Sequence, residues 1–398
     1  MRTGWTIFLS VLVLTGSLLP GLGPCAARAV EAGGENADGV WMYTMSVGKA
    51  DAILLSAGGH TALIDTGYAT SRGRVQAGLK QMGITRLDAV FVTHLDKDHI
   101  GGLTWLAESD LEIGAWYASA MYMNVESPKE HPMARAAALR GESVTFLAAG
   151  DTVPLGDAVL RVLAPIVLAD DKDDNNSLVL MLESSEGRIL LTGDIEFSAE
   201  SRLMMSGADL KCDVLKVANH ADNDTNSPAF TSRTSPQIAV ISTSSEEKPD
   251  TPSPAVVRRL QNQGAAVYVT QDCTGGVLVR LQGGTATAEL INLPVSTASV
   301  VLTAALPGRD LITLRNDGQE DVDLTDWYIV SSRGKESFWF PAGTVLPAGK
   351  TLTLGTRTSE EPYDLYWDDK KVVHAKKEDV FTLYDAYGSV VSQITNGL

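Results

Sequence analysis

The feature that most constrains this chain is a short run of metal-ligand side chains that follows an apolar segment. The run, VFVTHLDKDHIGG, contains His94, Asp96, Asp98 and His99 directly after the apolar residues 89–92. The apolar segment predicts a buried strand, and the two glycines that close the run predict a tight turn. Imidazole nitrogens and carboxylate oxygens bind zinc, and carboxylates also suit harder divalent ions. The run therefore predicts a metal site at the tip of a strand.

The same kinds of side chain recur at the ends of three other apolar segments. Asp65 ends TALID, Asp194 ends RILLTGD, and His220 ends DVLKVANH. A protein core has no use for unpaired carboxylates, because burying them is costly. Taken singly, Asp65 and Asp194 would also fit turns beside a glycine. Together with the first run, the three residues favour one metal site along the edge of a sheet.

Length and charge limit the classes of function. The chain has 398 residues, enough for two or three domains, and its composition (44% hydrophobic, 20% charged) is ordinary for a soluble globular protein. Its formal net charge of −17 argues against a broad nucleic-acid-binding surface, which needs Lys and Arg to neutralise phosphates. A nuclease is not excluded, since bound cations can invert the field inside one cleft.

The N-terminus has the pattern of a secretory signal. Arg2 precedes an apolar run at residues 7–19, and the sequence ARA at 27–29 fits a small-x-small cleavage site. We therefore expect residues 1–29 to be a signal peptide and the protein to be secreted or extracellular, with cell-surface association as a variant of that expectation. The alternatives are an uncleaved membrane anchor and a lipid attached at Cys25.

The rest of the chain divides into two parts that differ in their pattern of apolar and polar residues. After a polar linker at residues 30–39, short apolar runs alternate with amphipathic stretches over residues 40–293, which predicts a layered α/β domain. Residues 294–398 contain only strand-like runs between turns, which predicts a small β-sandwich. No stretch after the signal is long and apolar enough to span a membrane. Helices are expected at residues 74–82, 132–139, 197–205 and 254–262, with His131 at an exposed helix start. Strands of the first domain are expected at residues 41–45, 52–56, 61–65, 88–93, 159–164, 177–183, 188–194, 213–218, 238–243, 266–270 and 277–281.

The order of the motifs resembles the metallo-β-lactamase superfamily, and within it the hydrolase part of ComEC-type competence proteins. The resemblance covers about residues 40–285 and implies an αββα sandwich with a dinuclear metal site at one edge. The segments that carry it are MSVGKADAILL, LIDTG, LDAVFVTHLDKDHIGGL, NNSLVLMLE, RILLTGDIE, ADLKCDVLKVANH and PSPAVVRRLQNQGAAVYVT.

The resemblance also assigns roles to residues of this chain. The implied metal ligands are His94, Asp96, Asp98, His99, Asp194 and His220. The first two would hold one ion, Asp194 would bridge, and the other three would hold a second ion. Asp65 would orient the ligand loop, while Asp173, Asp174 and Asp222 are additional candidate ligands. One or two divalent ions are expected, with zinc preferred and manganese as the alternative.

Several positions depart from the pattern of the family. Asp96 stands where the superfamily usually has His. Asn219 and the pair Ala221-Asp222 stand where the competence group usually reads H-H-G-S around His220. Thr251 stands where a His often precedes the P-x-P turn. These differences bear on whether the chain still turns over a substrate.

The resemblance implies a secreted hydrolase that cleaves phosphodiester bonds through a metal-bound hydroxide, with extracellular DNA as the candidate substrate. Asp98 is the candidate catalytic residue, and either Asp98 or a metal-bound water would handle the proton. One alternative is an impaired hydrolase fold that serves as a surface binding or scaffold protein. The other is an enzyme that acts on an ester or a lactam.

The C-terminal part resembles the lamin-tail domain over residues 296–398. The segments DLITLRNDGQEDVDLTDWYI, FWFPAGTVLPAGKTLTLG and DVFTLYDAYGSVV carry the resemblance, which implies an immunoglobulin-like sandwich. We expect its aromatic residues to fill the core and its surface to contact a cell-surface or wall component. Two cysteines remain after the signal, Cys212 and Cys273, and buried free thiols are favoured over a disulfide.

Overall fold

A computed structural model describes residues 39–121, 131–167, 174–333, 336–359, 361–369 and 372–397. The expected signal peptide, nearly all of the expected linker and Asp173 lie outside the described residues. Within the described ranges, no helix is long and apolar enough to cross a membrane.

The first domain alternates strands and helices along the chain. Its strands are β1 (Val40–Met45), β2 (Ile53–Ala57), β3 (His60–Ile64), β4 (Arg86–Leu87), β5 (Ala89–Val92), β6 (Glu112–Ile113), β7 (Trp116–Ser119), β8 (Val144–Leu147), β9 (Thr152–Leu155), β10 (Ala158–Ala164), β11 (Val179–Ser184), β12 (Gly187–Leu191), β13 (Val214–Lys216), β14 (Ile238–Ile241), β15 (Ala266–Val269), β16 (Gly276–Gln282) and β17 (Thr285–Ile291). Its helices are α1 (Arg72–Gln81), α2 (Lys97–Ile100), α3 (Leu103–Glu108), α4 (Pro132–Leu139), α5 (Phe197–Met205), α6 (Pro228–Thr234) and α7 (Pro254–Asn262).

Two large mixed sheets form the centre of this domain. One has eight strands in the order β17-β16-β1-β2-β3-β5-β7-β8, and the other has seven in the order β15-β14-β13-β12-β11-β10-β9. Their facing sides share one apolar core, which includes Leu55, Phe91 and Leu180. A further core on each outer side involves the helices. This is the αββα sandwich that the sequence predicts.

The strand directions place the ends of several strands at one edge of the sandwich. β3 pairs in parallel with β5, and β12 pairs in parallel with β13. Parallel neighbours end at the same edge, so residues that follow β3 and β5 lie close together, as do residues that follow β12 and β13. Asp65 and His94 follow the first pair, and Asp194 and His220 follow the second.

The second domain is built only from strands. They are β18 (Val300–Leu306), β19 (Leu311–Asn316), β20 (Val322–Asp323), β21 (Tyr328–Ser331), β22 (Ser337–Trp339), β23 (Val345–Leu346), β24 (Thr351–Thr356), β25 (Leu365–Trp367), β26 (Val380–Tyr384) and β27 (Val390–Thr395). Two four-stranded sheets, β18-β19-β24-β25 and β22-β21-β26-β27, enclose an apolar core. Trp327, Phe338 and Trp367 lie in this core, as predicted, together with Phe340. Trp339 was predicted to lie there too, but it is only partly buried and stacks on Tyr328.

The two domains contact each other through α1. The Arg72 guanidinium lies 3.9 Å from the ring centroid of Trp339, and Gln76 Nε2 donates a hydrogen bond of 2.9 Å to Asp326 Oδ1. Between them, Gly73 lies so close to Tyr328 that an added Cβ would be 2.3 Å from its ring. The small residue therefore lets the β-sandwich approach the helix directly.

The helices of the first domain agree with the sequence prediction better than its strands do. Three of the four predicted helices have the predicted bounds, and proline stands in the first turn of α4 and α7, where its missing N–H costs nothing. Six strands of the first domain were not predicted: β4, β6, β7, β8, β9 and β17. β17, TATAELI, is partly polar because it is an edge strand with exposed positions.

Two single residues also bear on the predictions. His131 was expected at an exposed helix start, and this is wrong: the side chain is buried and meets the Phe146 ring edge-on. Burial and the charge of Arg135 lower the pKa of His131 to about 4. Cys212 and Cys273 are both buried and free, as expected.

Candidate metal centre

The centre begins at the ends of the parallel strands β3 and β5. Asp65 follows β3 with a left-handed backbone (φ of 60°), and its carboxylate is fully buried. It accepts hydrogen bonds from the backbone N–H of Thr93 (2.8 Å) and from Thr93 Oγ1 (2.7 Å). It also accepts one from His99 Nδ1 at 2.7 Å. One carboxylate thus ties the end of β3 to the ligand run and fixes the plane of the His99 ring.

Hydrogen bonds at Nδ1 orient all three imidazoles in the same way. His220 Nδ1 lies 2.8 Å from the carbonyl oxygen of Ser242, which can only accept. His94 Nδ1 lies 3.1 Å from Thr93 Oγ1, whose own hydrogen is donated to Asp65. Each ring must therefore carry its hydrogen on Nδ1, which leaves a lone pair on Nε2.

The three Nε2 atoms converge on Asp194. Asp194 Oδ2 lies 3.3 Å from His99 Nε2, 3.2 Å from His220 Nε2 and 4.0 Å from His94 Nε2. Asp98 Oδ2 lies 3.5 Å from His220 Nε2 and closes the group on its outer side. All of these side chains are buried except Asp98, which is 14% exposed and is the member that solvent reaches.

A second group of ligand-type residues lies beside the first. His94, Asp96 and Asp174 each offer one atom within 4.8 Å of the others, while Asp98, His99, Asp194 and His220 do the same in the first group. Asp174 opens a short 3₁₀ turn before β11. Asp174, one of the two neighbouring aspartates predicted as additional ligands, therefore lies beside His94 and Asp96.

The carboxylates of the centre create an electrostatic field that favours a bound cation. Burial alone would lower the pKa of His99, but the carboxylates of Asp194 and Asp65 hold it well above its ordinary value. Burial would raise the pKa of Asp98, but its contact with His220 and the charge of His99 lower it to about 2. Burial and the charge of Asp98 raise the pKa of Tyr68, at the mouth of the centre, to about 12. The carboxylates thus stay ionised and create a negative field inside a dry edge of the protein.

The chain's own atoms fit divalent metal ions. His94 Nε2, His99 Nε2, His220 Nε2 and Asp194 Oδ1 are buried and have no hydrogen-bond partner among the described residues. Leaving one buried polar atom unsatisfied costs about 1–3 kcal/mol, so four such atoms at one sheet edge favour bound partners there. Nitrogen and carboxylate oxygen in this combination are the donor set of zinc and related ions.

Two glycines let the ligand run fold tightly against the loop after β3. A Cβ on Gly101 would lie 2.2 Å from the backbone nitrogen of Ala69. A Cβ on Gly102 would lie 2.5 Å from the carbonyl oxygen of Thr66. Thr66 in turn donates from its backbone N–H to the carbonyl of His99 at 2.7 Å. The glycines of the motif are therefore needed for close backbone approach.

A buried ion pair behind the imidazoles was missed by the sequence analysis. Lys216 Nζ lies 2.8 Å from Asp51 Oδ2, and both side chains are about 1% exposed. Asp51 also accepts a hydrogen bond from Ser242 Oγ, and Oδ1 lies 3.9 Å from His220 Nδ1. Both residues stood in quoted motifs, MSVGKADAILL and DVLKVANH, but a single Lys in an apolar strand gave no sign of its partner.

The structure does not place Asp222 with the ligands. Its carboxylate forms an ion pair with Lys248, and it belongs to neither ligand group. The preceding residues Asn219, His220 and Ala221 all have left-handed backbone angles (φ of 41°, 53° and 63°). This turn directs His220 inward and Asp222 outward, which corrects the prediction that Asp222 is an additional ligand.

Comparison with known proteins agrees with this geometry. The profile of the metallo-beta-lactamase superfamily matches residues 45–245, about half of the chain. The chain belongs to the metallo-β-lactamase superfamily. The profile of the lamin tail domain matches residues 294–397. This confirms a metallo-β-lactamase-fold domain of a metal-dependent hydrolase family, followed by a lamin tail domain.

Competence proteins are among the relatives of the hydrolase domain. ComE operon protein 3 of Bacillus subtilis is 28% identical over 228 residues, which is 56% of this chain and 28% of that protein. Competence protein ComA of Neisseria gonorrhoeae is 26% identical over 251 residues, 62% of this chain and 33% of that protein. The hydrolase domain thus falls in the ComEC-type competence group. This chain spans about a third or less of the length of these relatives.

Solved structures of the same fold are more distant. The metallo-beta-lactamase fold protein YhfI from Bacillus subtilis aligns with a TM-score of 0.39 and 12% identity, covering 60% of this chain and 98% of that one. CmlA, a diiron beta-hydroxylase from Streptomyces venezuelae, aligns with a TM-score of 0.41 and 14% identity, covering 64% and 54%.

Proposed function

We propose that this chain hydrolyses phosphodiester bonds, with DNA outside the cell as the substrate, by chemistry at the His94–His220 centre. The observation that carries the proposal is the convergence of three buried Nε2 lone pairs and Asp194 on one point at a sheet edge. Bound there, one or two divalent ions would supply a water of lowered pKa and positive charge next to the scissile group.

The ligand set supports two ion positions. We assign His94, Asp96 and Asp174 to the first, and Asp98, His99 and His220 to the second, with Asp194 between them. Four carboxylates beside three imidazoles make this a hard, oxygen-rich site. Such sites suit ions that also bind phosphate oxygens, which favours a phosphodiester over a lactam or a carboxylic ester.

Asp98 and Lys49 have the geometry to act on the substrate. Asp98 is the most solvent-accessible member of the second group, and its lowered pKa keeps it a carboxylate at neutral pH, so it can accept the proton of the attacking water. Lys49 Nζ lies 3.7 Å from Asp98 Oδ2 and is also partly exposed. Its ammonium group would attract the anionic phosphate to the mouth of the centre.

The location and partner of the protein are part of the same proposal. The charge, apolar run and cleavage pattern of residues 1–29 support export. The lamin tail domain would then hold the hydrolase near a cell-surface or wall component. An assay of the culture medium and cell-surface fraction, with antibody against the C-terminal domain, tests this; retention of the full chain in the cytoplasm would contradict it.

The activity test uses the purified full chain with zinc or manganese. Wild-type protein should hydrolyse single-stranded DNA and methyl p-nitrophenyl phosphate, a small diester. Asp194→Ala should lose at least about a hundredfold in kcat/KM, because it removes the group between both ion positions. Metal content measured on the same samples should fall with it.

Asp110→Ala is the matched control, since Asp110 is an exposed aspartate outside both ligand groups. It should retain the activity and metal content of the wild type. Equal activity of Asp194→Ala and wild type, with the fold intact by circular dichroism, would reject the proposal. Tight DNA binding without product, at saturating metal, would instead support the binding or scaffold alternative that the altered Asn219–Asp222 segment raised.

A further inference from the structure

A large cleft adjoins the metal centre. It has a volume of about 900 Å³ and is lined in part by Lys97, Ile100 and Gly101. Lys97 and Ile100 belong to α2, the short helix that also carries Asp98 and His99, and Gly101 directly follows it. A group held in this cleft would therefore lie next to whatever reacts at the centre.

The cleft combines an apolar wall with positive charge. Ile100, Leu103, Pro132, Ala136 and Leu139 supply the apolar side chains, and Tyr68 forms part of the lining on the side of the centre. Leu139 is 62% exposed, so this wall is open to a ligand.

Two basic side chains on the rim form no ion pair with any residue that the structure describes. Lys97 and Arg135 both line the cleft and are exposed. Within the described part of the chain, neither forms an ion pair, although the formal net charge of the protein is −17 and carboxylates are abundant. The acidic residue on the lining is Glu247, whose Oε2 accepts a hydrogen bond from the backbone of Lys49. The rim by α2 and α4 thus offers free positive charge for phosphates.

We propose that this cleft seats an unpaired nucleotide that flanks the phosphate being cleaved. The base lies against the apolar wall and Tyr68, and the neighbouring phosphates lie near Lys97 and Arg135. The inference rests on the proposed function and names the form of its substrate as a single strand. A duplex does not fit, because its base faces are already stacked and cannot meet an apolar wall.

The first test variant fills the cleft with a larger side chain and leaves the predicted metal ligands unchanged. Thr104 is exposed on α3 and lines the cleft, so Thr104→Trp would occupy the space of the base. The variant should raise KM for a single-stranded oligonucleotide at least about tenfold, consistent with loss of base stacking. Its kcat/KM for methyl p-nitrophenyl phosphate, which has no flanking nucleotide, should stay within twofold of wild type. Glu108→Trp, one helical turn further along α3 and outside the lining, is the matched control and should change neither value.

A second variant tests the charge and does not depend on packing. Arg135→Gln should lower the slope of log KM against log salt for single-stranded DNA by about 0.7, the loss of one phosphate contact. Arg258→Gln removes the same charge from an exposed position on α7 away from the cleft and should leave the slope unchanged.

The outcomes separate this inference from the proposed function. If wild type cleaves neither DNA nor the small diester, the proposed function fails, and this inference fails with it. If wild type cleaves both, yet Thr104→Trp and Arg135→Gln behave like their controls, only the nucleotide cleft is overturned. Equal KM values for duplex and single-stranded DNA would also overturn it. Wild-type activity with both variants impaired as described supports both.

Discussion

The buried pair of Lys216 and Asp51 should be among the most sensitive points of the hydrolase domain. Lys216 Nζ donates to Asp51 Oδ2 at 2.8 Å and to the carbonyl of Val217 at 3.1 Å, and water has almost no access to either side chain. Lys216→Met keeps the length of the side chain but removes the cation. Asp51 would then be a buried carboxylate that keeps the hydrogen bond from the Ser242 hydroxyl and a 3.9 Å contact with His220 Nδ1 but has lost its cation. Breaking such a pair costs about 3–5 kcal/mol.

Removing both charges should cost much less than removing one. In Lys216→Met/Asp51→Leu no uncompensated buried charge remains, and an apolar pair of similar volume is often neutral or even stabilising. We therefore expect the double variant to recover at least half of the stability lost in Lys216→Met. The two residues are in contact, so a large departure from additivity is also expected in a double-mutant cycle.

Urea unfolding of four proteins, wild type, both single variants and the double variant, measures the effect. A chelator in every sample keeps metal binding out of the comparison, and far-UV circular dichroism follows the transition of the α/β domain. A loss below about 1 kcal/mol for Lys216→Met would refute the reasoning, since such values are typical of exposed pairs. A double variant that loses the sum of the single losses would refute it equally.

Three other outcomes follow from the site. Chelation should lower the melting temperature of the hydrolase domain by about 5–10 °C, because an ion present at a hundred times its Kd contributes about 2.7 kcal/mol; Asp194→Ala should show no such shift in a thermal scan with and without chelator. Gly102→Ala should weaken metal affinity about tenfold in a competition titration, since its Cβ would collide with a loop carbonyl; unchanged affinity would show that the loop yields easily. Ala221→Gly should raise the free energy of unfolding by about 0.5–1 kcal/mol by relieving a left-handed alanine (φ of 63°), and a lower value in urea unfolding would contradict that.

What the sequence predicted well was local in the chain. His94 to His99 lie in one short run, and the apolar residues before them are a strand in the structure. The bounds of α5 and α7 were correct because their apolar spacing and flanking residues act within one helix. The position of Asp194 and His220 beside that run could be predicted for a related reason, since strand ends of an α/β domain meet at one edge.

What the sequence left out depended on contacts between distant segments. Asp51 and Lys216 are 165 positions apart, and each looked like an isolated charge beside apolar residues. His131 was placed at the surface because it precedes a helix, but α4 and β8 cover it. No periodicity of one segment indicates which other segment will cover it, so these positions needed the packed structure.

The departure at Asn219–Asp222 shows how a changed motif can keep its geometry. The competence group usually has a glycine where this chain has Ala221, and glycine adopts left-handed angles without cost. Here three consecutive non-glycine residues hold those angles, at a cost of about 1–2 kcal/mol each. The backbone N–H of Asn219 donates to Gly193 and that of Ser253 donates to Ala221, so two other loops hold the turn. Because Gly193 directly precedes Asp194, the contact that holds the strained turn also sets His220 against Asp194. The fold thus keeps the ligand in place although the residues around it have changed.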